Sequence, residues 1–206
     1  MRIGLDFDNT IVSYDALFHS VAVEKELIPS DTPISKLAVR DHLRRLGQNQ
    51  TWTELQGYVY GARMGEAVAY PGAIEFIRAA RRFGNEVFIV SHKTRHPFLG
   101  PCYDLHDAAA KWIDVELTDG ASSLVAVDHV FFEPTKEEKI ARIGACDCDY
   151  FVDDLPEILQ MQGFATRTQK LLFDPQDLHR SVNIKLRFVS WQALLFYFDS
   201  KWVTQA

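Results

Sequence analysis

The chain has 206 residues, 47% of them hydrophobic, and a formal net charge of −6. That is enough to bury one domain with an insertion or two small domains. The acidic balance argues against a nucleic-acid footprint, which needs clustered Lys and Arg. No apolar run reaches the ~18 residues of a membrane span. No cationic segment followed by a long apolar one marks a secretory leader at the N-terminus. The three cysteines, Cys102, Cys146 and Cys148, make no disulfide framework and suit a reducing cytosol, so a cytoplasmic protein is expected. No repeat or low-complexity stretch is present, and oligomeric state is not legible.

The segment Arg2 to Leu5 is a short, mostly apolar strand, and the polar turn Asp8-Asn9-Thr10 follows it. Residues 14–69 differ in character: LFHSVAVEKELI, ISKLAVRDHLRRL and TWTELQGYVYGARMGEAV space apolar residues at three and four, as helices do. Breaks fall at Pro29 to Pro33 and at Gly47 to Asn49. Pro71-Gly72 then starts the helix AIEFIRAARRF, which stops at Gly84. The continuous apolar run EVFIVS is a strand, followed by the loop HKTRHPFLGP. The helix YDLHDAAAKWIDVEL precedes the strand HVFFE. The helix TKEEKIARI is capped by Thr135, with Glu138 in the capping-box position. The strand DYFV ends in Asp153-Asp154, LPEILQ starts a helix, LLF is a strand, and RFVSWQALLFYF is a strand running into a last helix. That aromatic helix either packs on the core or forms a subunit contact.

Apolar strands alternating with helices describe an α/β fold, a Rossmann-like three-layer core around a parallel sheet. Parallel βα units send every strand's C-terminal end to one edge, where ligands bind. The first strand is followed by Asp6 and Asp8, the second ends in Ser91 before His92, Lys93 and Thr94, and the fourth is followed by Asp153 and Asp154. Lys136 and Lys139 open the helix after the third. Two carboxylates after an apolar strand are costly unless compensated. A cation and a phosphate at this edge would compensate them.

These residues resemble the haloacid dehalogenase-like superfamily over about 1–13 and 70–175. DFDNT is similar to its first motif, DxDxT; IVSHKT to its second, a Ser or Thr ending an apolar strand; Lys136 or Lys139 to its third; and DYFVDDLPE to its fourth, an acidic pair. The resemblance implies a core of 1–13 and 70–206, with 14–69 as a small helical cap that closes over the site and selects a small-molecule substrate. It implies a Mg²⁺-dependent phosphatase of a small phosphorylated metabolite, a sugar phosphate or a nucleotide. A phosphomutase and a non-catalytic binding protein are the alternatives.

By that resemblance Asp6 is the nucleophile, forming an aspartyl-phosphate. Asp8 protonates the leaving oxygen and then activates water. Dehalogenase members lack an acid there, so Asp8 favours phosphoryl transfer. Mg²⁺ would be held by Asp6, the main-chain carbonyl of Asp8, and Asp153, with Asp154 beside it. Ser91 and a lysine would bind the transferring phosphoryl group. Lys136, nearest the strand end, is favoured slightly over Lys139, one turn on and on roughly the same face. Thr10, His92, Lys93 and Arg95 are candidate substrate-binding residues. Glu157 is either a further acid of the site or a first-turn helix acid. Cys146-x-Cys148 lacks a second ligand pair, so no zinc site is expected.

Overall fold

A computed structural model describes residues 1–203. The chain opens with β1 (Arg2–Leu5), β2 (Val12–Ser13), α1 (Asp15–Glu24), α2 (Lys36–Arg45), α3 (Asn49–Tyr60) and β3 (Val68–Ala69). It continues with α4 (Ala73–Arg82), β4 (Glu86–His92), α5 (Leu105–Glu116), β5 (Thr118–Asp119), β6 (Ser122–Ser123) and β7 (Val130–Glu133). It ends with α6 (Lys136–Ala145), β8 (Tyr150–Asp153), α7 (Pro156–Gln160), β9 (Gln169–Phe173), β10 (Leu186–Phe188) and α8 (Trp191–Val203). Two compact units result. One holds Met1–Val12, Ala69–His92 and the chain from Leu117 on; the other holds Ser13–Val68 and Lys93–Glu116.

The first unit is built on a six-stranded sheet ordered β10-β9-β8-β1-β4-β7, with each strand parallel to its neighbours. Parallel strands covered on both faces must be apolar throughout, and Val87, Phe88, Ile89 and Val90 of β4 are all buried. One face packs Phe88, Val90, Phe151 and Leu172 against Ile140 and Ile143 of α6 and Ile158 of α7. Toward α4 and α8, Phe76 meets Trp191, Phe198 and Trp202 at ring separations of 5.1, 5.3 and 5.7 Å. The aromatic C-terminal helix therefore packs on the core.

Sheet order grows one way from β1 to β4 and the other way from β1 to β8, so the C-terminal end of β1 lies at a topological switch point. Within β1, the side chains of Phe151 and Cys148 fill the space over Gly4. A Cβ on Gly4 would sit 2.6 Å from Phe151 Cδ2 and 2.9 Å from Cys148 Sγ. Gly4→Ala is therefore expected to cost about 2–3 kcal/mol by overpacking, read as a lowered urea midpoint at unchanged slope.

Asp174, just past β9, organises the turn that follows. Its buried carboxylate accepts from Leu178 N (3.0 Å), His179 N (2.9 Å) and Arg187 Nη1 (2.6 Å). Burial alone would raise its pKa; these bonds outweigh it and hold the group below its usual value. A depressed native pKa stabilises above the unfolded value and loses that contribution as pH falls through the native one. Asp174→Asn is expected to cost ~2 kcal/mol at pH 7. The gap between urea midpoints of variant and wild type should shrink steadily from pH 5 to pH 3.

The second unit packs α1, α2, α3 and α5. Ser35 caps α2, its hydroxyl accepting from Leu37 N and Ala38 N. Phe18 lies 5.2 Å from Trp52 and 5.5 Å from Tyr60, and Tyr14 lies 4.9 Å from Tyr60. The inserted segment was expected to be 14–69, yet Lys93–Glu116 also falls in this unit. Gly57 and Gly61 show why: added Cβ atoms would meet Pro97 at 2.6 Å and Tyr103 at 2.5 Å. The bare glycine edge of α3 lets the loop after β4 lie directly on it. The helical reading of 51–68 is interrupted: α3 stops at Tyr60, a single 3₁₀ turn follows at Met64–Glu66, and the stretch ends in β3.

Candidate active site

The first unit gathers the ends of β1, β8 and β4 and a lysine of α6 at one edge of the sheet. Leu5 pairs with Val152, so the residues after them, Asp6 and Asp153, stand side by side. Asp6 N also donates to Val152 O at 2.9 Å. Beyond Asp6 the chain turns through Asn9, whose φ of 58° is left-handed. Ile11 N and Val12 N both donate back to Phe7 O, at 3.0 and 3.1 Å. That turn points the Thr10 hydroxyl inward, 3.2 Å from Asp6 Oδ2 and 3.4 Å from Asp154 Oδ1. Thr10, a candidate substrate-binding residue, has its hydroxyl among the carboxylates of the site. Asp8, two residues past Asp6, is half-buried on this same turn.

Lys139 is the cation of the site. Its Nζ donates to Asp6 Oδ1 and to Asp153 Oδ2, both at 2.6 Å, and all three side chains are buried. Burial alone would lower the Lys139 pKa; the two carboxylates outweigh it and raise it. Asp153 is fully buried, which pushes its pKa up to about 7, with Lys139 pulling it down and Asp6 adding to the rise. Its other oxygen accepts from Leu155 N at 2.8 Å. Lys136, favoured from sequence, is partly exposed and pairs with Glu157 at 3.5 Å. The reason is direction: helical Cβ atoms tilt toward the N-terminus, so Lys139, one turn in, reaches back to the strand ends. Glu157 is thereby occupied at the surface by Lys136.

Oxygens of Asp6, Asp153 and Asp154 lie within 4.8 Å of one another. Lys139 sets one ammonium against the two carboxylates of Asp6 and Asp153, which leaves an excess of negative charge when both are ionised. An all-oxygen donor set with that excess fits a divalent, oxygen-seeking cation such as Mg²⁺. Ser91, the penultimate residue of β4 beside β1, supplies a second unsatisfied feature. Its Oγ is buried and has no hydrogen-bond partner among the described residues. A buried hydroxyl left so is costly and suits an absent oxyanion.

The structure also locates the remaining candidate substrate residues. His92 is exposed and its Nε2 lies 3.1 Å from Pro134 O. Lys93 and Arg95 belong to the second unit. There Lys93 is buried with Nζ 4.9 Å from the centre of the Tyr60 ring, and exposed Arg95 pairs with Asp104 at 3.0 Å. Cys146 and Cys148 are buried thiols, both raised in pKa by burial. One residue that sequence reasoning missed is Trp191, whose Nε1 donates to Thr10 O at 3.0 Å across 181 positions. No local pattern links residues so far apart.

No protein-family profile matches the sequence. A protein of Oceanobacillus iheyensis named as a candidate nucleotidase is 24% identical over 205 residues, 95% of this chain and 97% of its own. Among solved structures, a HAD-superfamily hydrolase from Ehrlichia chaffeensis superposes with a TM-score of 0.58 at 11% identity, over 97% of this chain and 96% of that one. A HAD-family hydrolase from Deinococcus radiodurans, with phosphate and sodium bound, superposes with a TM-score of 0.56 at 15% identity, over 98% and 96%. Dehalogenases and a β-phosphoglucomutase share the same architecture. The parallel sheet, its strand order and these superpositions together give the chain the haloacid dehalogenase-like fold.

Proposed function

We propose that the chain is a Mg²⁺-dependent phosphatase of a small phosphorylated metabolite. The observation that carries it is the buried Asp6 carboxylate, held at 2.6 Å by Lys139 within the Asp6–Asp153–Asp154 cluster. Asp6, Asp153 and Asp154 would hold the metal, which when bound supplies charge neutralisation between the nucleophile and the phosphoryl oxygens.

The chain's own residues do the rest. Asp6 attacks phosphorus, forming an O–P bond as the ester P–O bond breaks. Asp8 gives its proton to the leaving oxygen, then takes one from the water that cleaves the acyl-phosphate. Lys139 holds the Asp6 carboxylate in place and balances charge on the transferring group. The unpartnered Ser91 Oγ donates to a phosphoryl oxygen. Asp8 separates this chemistry from dehalogenation, which needs no acid at that position.

The name of the Oceanobacillus protein supports putting nucleoside monophosphates first among substrates, ahead of sugar phosphates. The test is phosphate release from both classes and an aryl phosphate, with Mg²⁺ and with EDTA. Release that requires the metal and vanishes in Asp6→Asn supports the reading. Isomerised product without free phosphate would replace it by a mutase. No turnover of any of these compounds by a protein that binds Mg²⁺ would overturn it.

A further inference from the structure

The turn that carries Asp6, Asp8 and Thr10 belongs to no helix, and the backbone oxygens not bonded within it need outside donors. Ile11 O receives Tyr70 N at 2.8 Å, and Thr10 O receives Trp191 Nε1 at 3.0 Å. Trp191 is fully buried, 5.1 Å from the Phe76 ring and 5.4 Å from the Phe173 ring. It also abuts the turn before α4: a Cβ on Gly72, which has a φ of 89°, would lie 3.0 Å from Trp191 Cβ. One indole thus joins the start of α8, the start of α4 and the end of β9 to a single carbonyl of the catalytic turn. That carbonyl belongs to the residue whose hydroxyl reaches both Asp6 and Asp154.

We propose that Trp191 is a positioning residue: its indole N–H pins the Thr10 carbonyl and so fixes the Asp6–Thr10 turn in its working geometry. The kinetic part of this rests on the phosphatase reading; the structural part does not. α8 carries its own control. Trp202, on the same helix, is as deeply buried and also packs on Phe76, but its Nε1 has no hydrogen-bond partner among the described residues. Trp→Phe at either site removes comparable apolar surface. Only at 191 does it strip a partner from a buried carbonyl, which is then costly to leave unmade.

The experiment compares wild type, W191F and W202F by amide hydrogen exchange and by phosphate release. In W191F, exchange at the Ile11, Val12 and Tyr70 amides should accelerate about tenfold beyond any change in global stability, and kcat should fall about tenfold at unchanged KM. In W202F neither should move. Equal exchange at those amides in both variants overturns the proposal, as does an equal loss of kcat. If wild type releases no phosphate, the phosphatase reading fails alone and the exchange arm still decides. If W191F does not fold, the wild-type Trp191 indole N–H is followed instead. It should exchange through the same local opening as Ile11 and Val12, and exchange independent of theirs overturns the proposal.

Discussion

Asp6→Asn is expected to yield a folded protein whose Mg²⁺-dependent phosphate release is lower by about 10³-fold or more. An amide oxygen keeps the shape of the carboxylate and can still accept from Lys139 Nζ, now 2.6 Å from Asp6 Oδ1. It is no nucleophile towards phosphorus. Stability should not fall with activity, because the substitution removes one of three crowded carboxylates while Lys139 keeps its 2.6 Å bond to Asp153. The melting temperature in EDTA is therefore expected to equal or exceed that of wild type. Asp8→Asn should also fold but lose about 10²–10⁴-fold, the range for a general acid–base group. Activity in Asp6→Asn within tenfold of wild type would remove Asp6 from the nucleophile's role.

What was legible in the sequence was whatever a single element could carry. Buried parallel strands must be apolar along their length, so the points where RIGL, EVFIVS and DYFV meet polar residues marked Asp6, Ser91 and Asp153. The alternation of strands and helices then placed those points on one edge. What depends on a partner was not legible. Helical periodicity puts Lys136 and Lys139 on one face, and only the inward tilt of the α6 side chains separates them. The loop after β4 reads as a free polar loop near the reactive edge. Its place in the second unit is set by Gly57 and Gly61, whose missing side chains signify nothing until Pro97 and Tyr103 lie on them. Two-residue strands such as β2 and β5 are too short for any period. Trp191 reads as one more aromatic of an apolar helix, because its partner is a backbone oxygen 181 residues away.

The two lysines lend themselves to a direct comparison. Lys139→Met removes the only cation bonded to Asp6 and Asp153 among the described residues and leaves two carboxylates buried together without it. Breaking a buried ion pair from one side costs about 3–5 kcal/mol, because the remaining charges stay desolvated. The variant should accordingly show a strongly lowered urea midpoint in EDTA and no measurable phosphate release. Its excess negative charge is larger than that of wild type, so Mg²⁺ should raise its melting temperature more than it raises that of wild type, by binding the native state alone. Lys136→Met removes a partly exposed ammonium 3.5 Å from Glu157, an interaction that solvent screens. It should change stability by no more than about 0.5 kcal/mol and leave turnover within a few-fold. Were Lys136→Met the variant that lost activity, the charge that meets the phosphoryl group would come from the first turn of α6, and the buried Lys139 would be a purely structural counter-ion for the carboxylates.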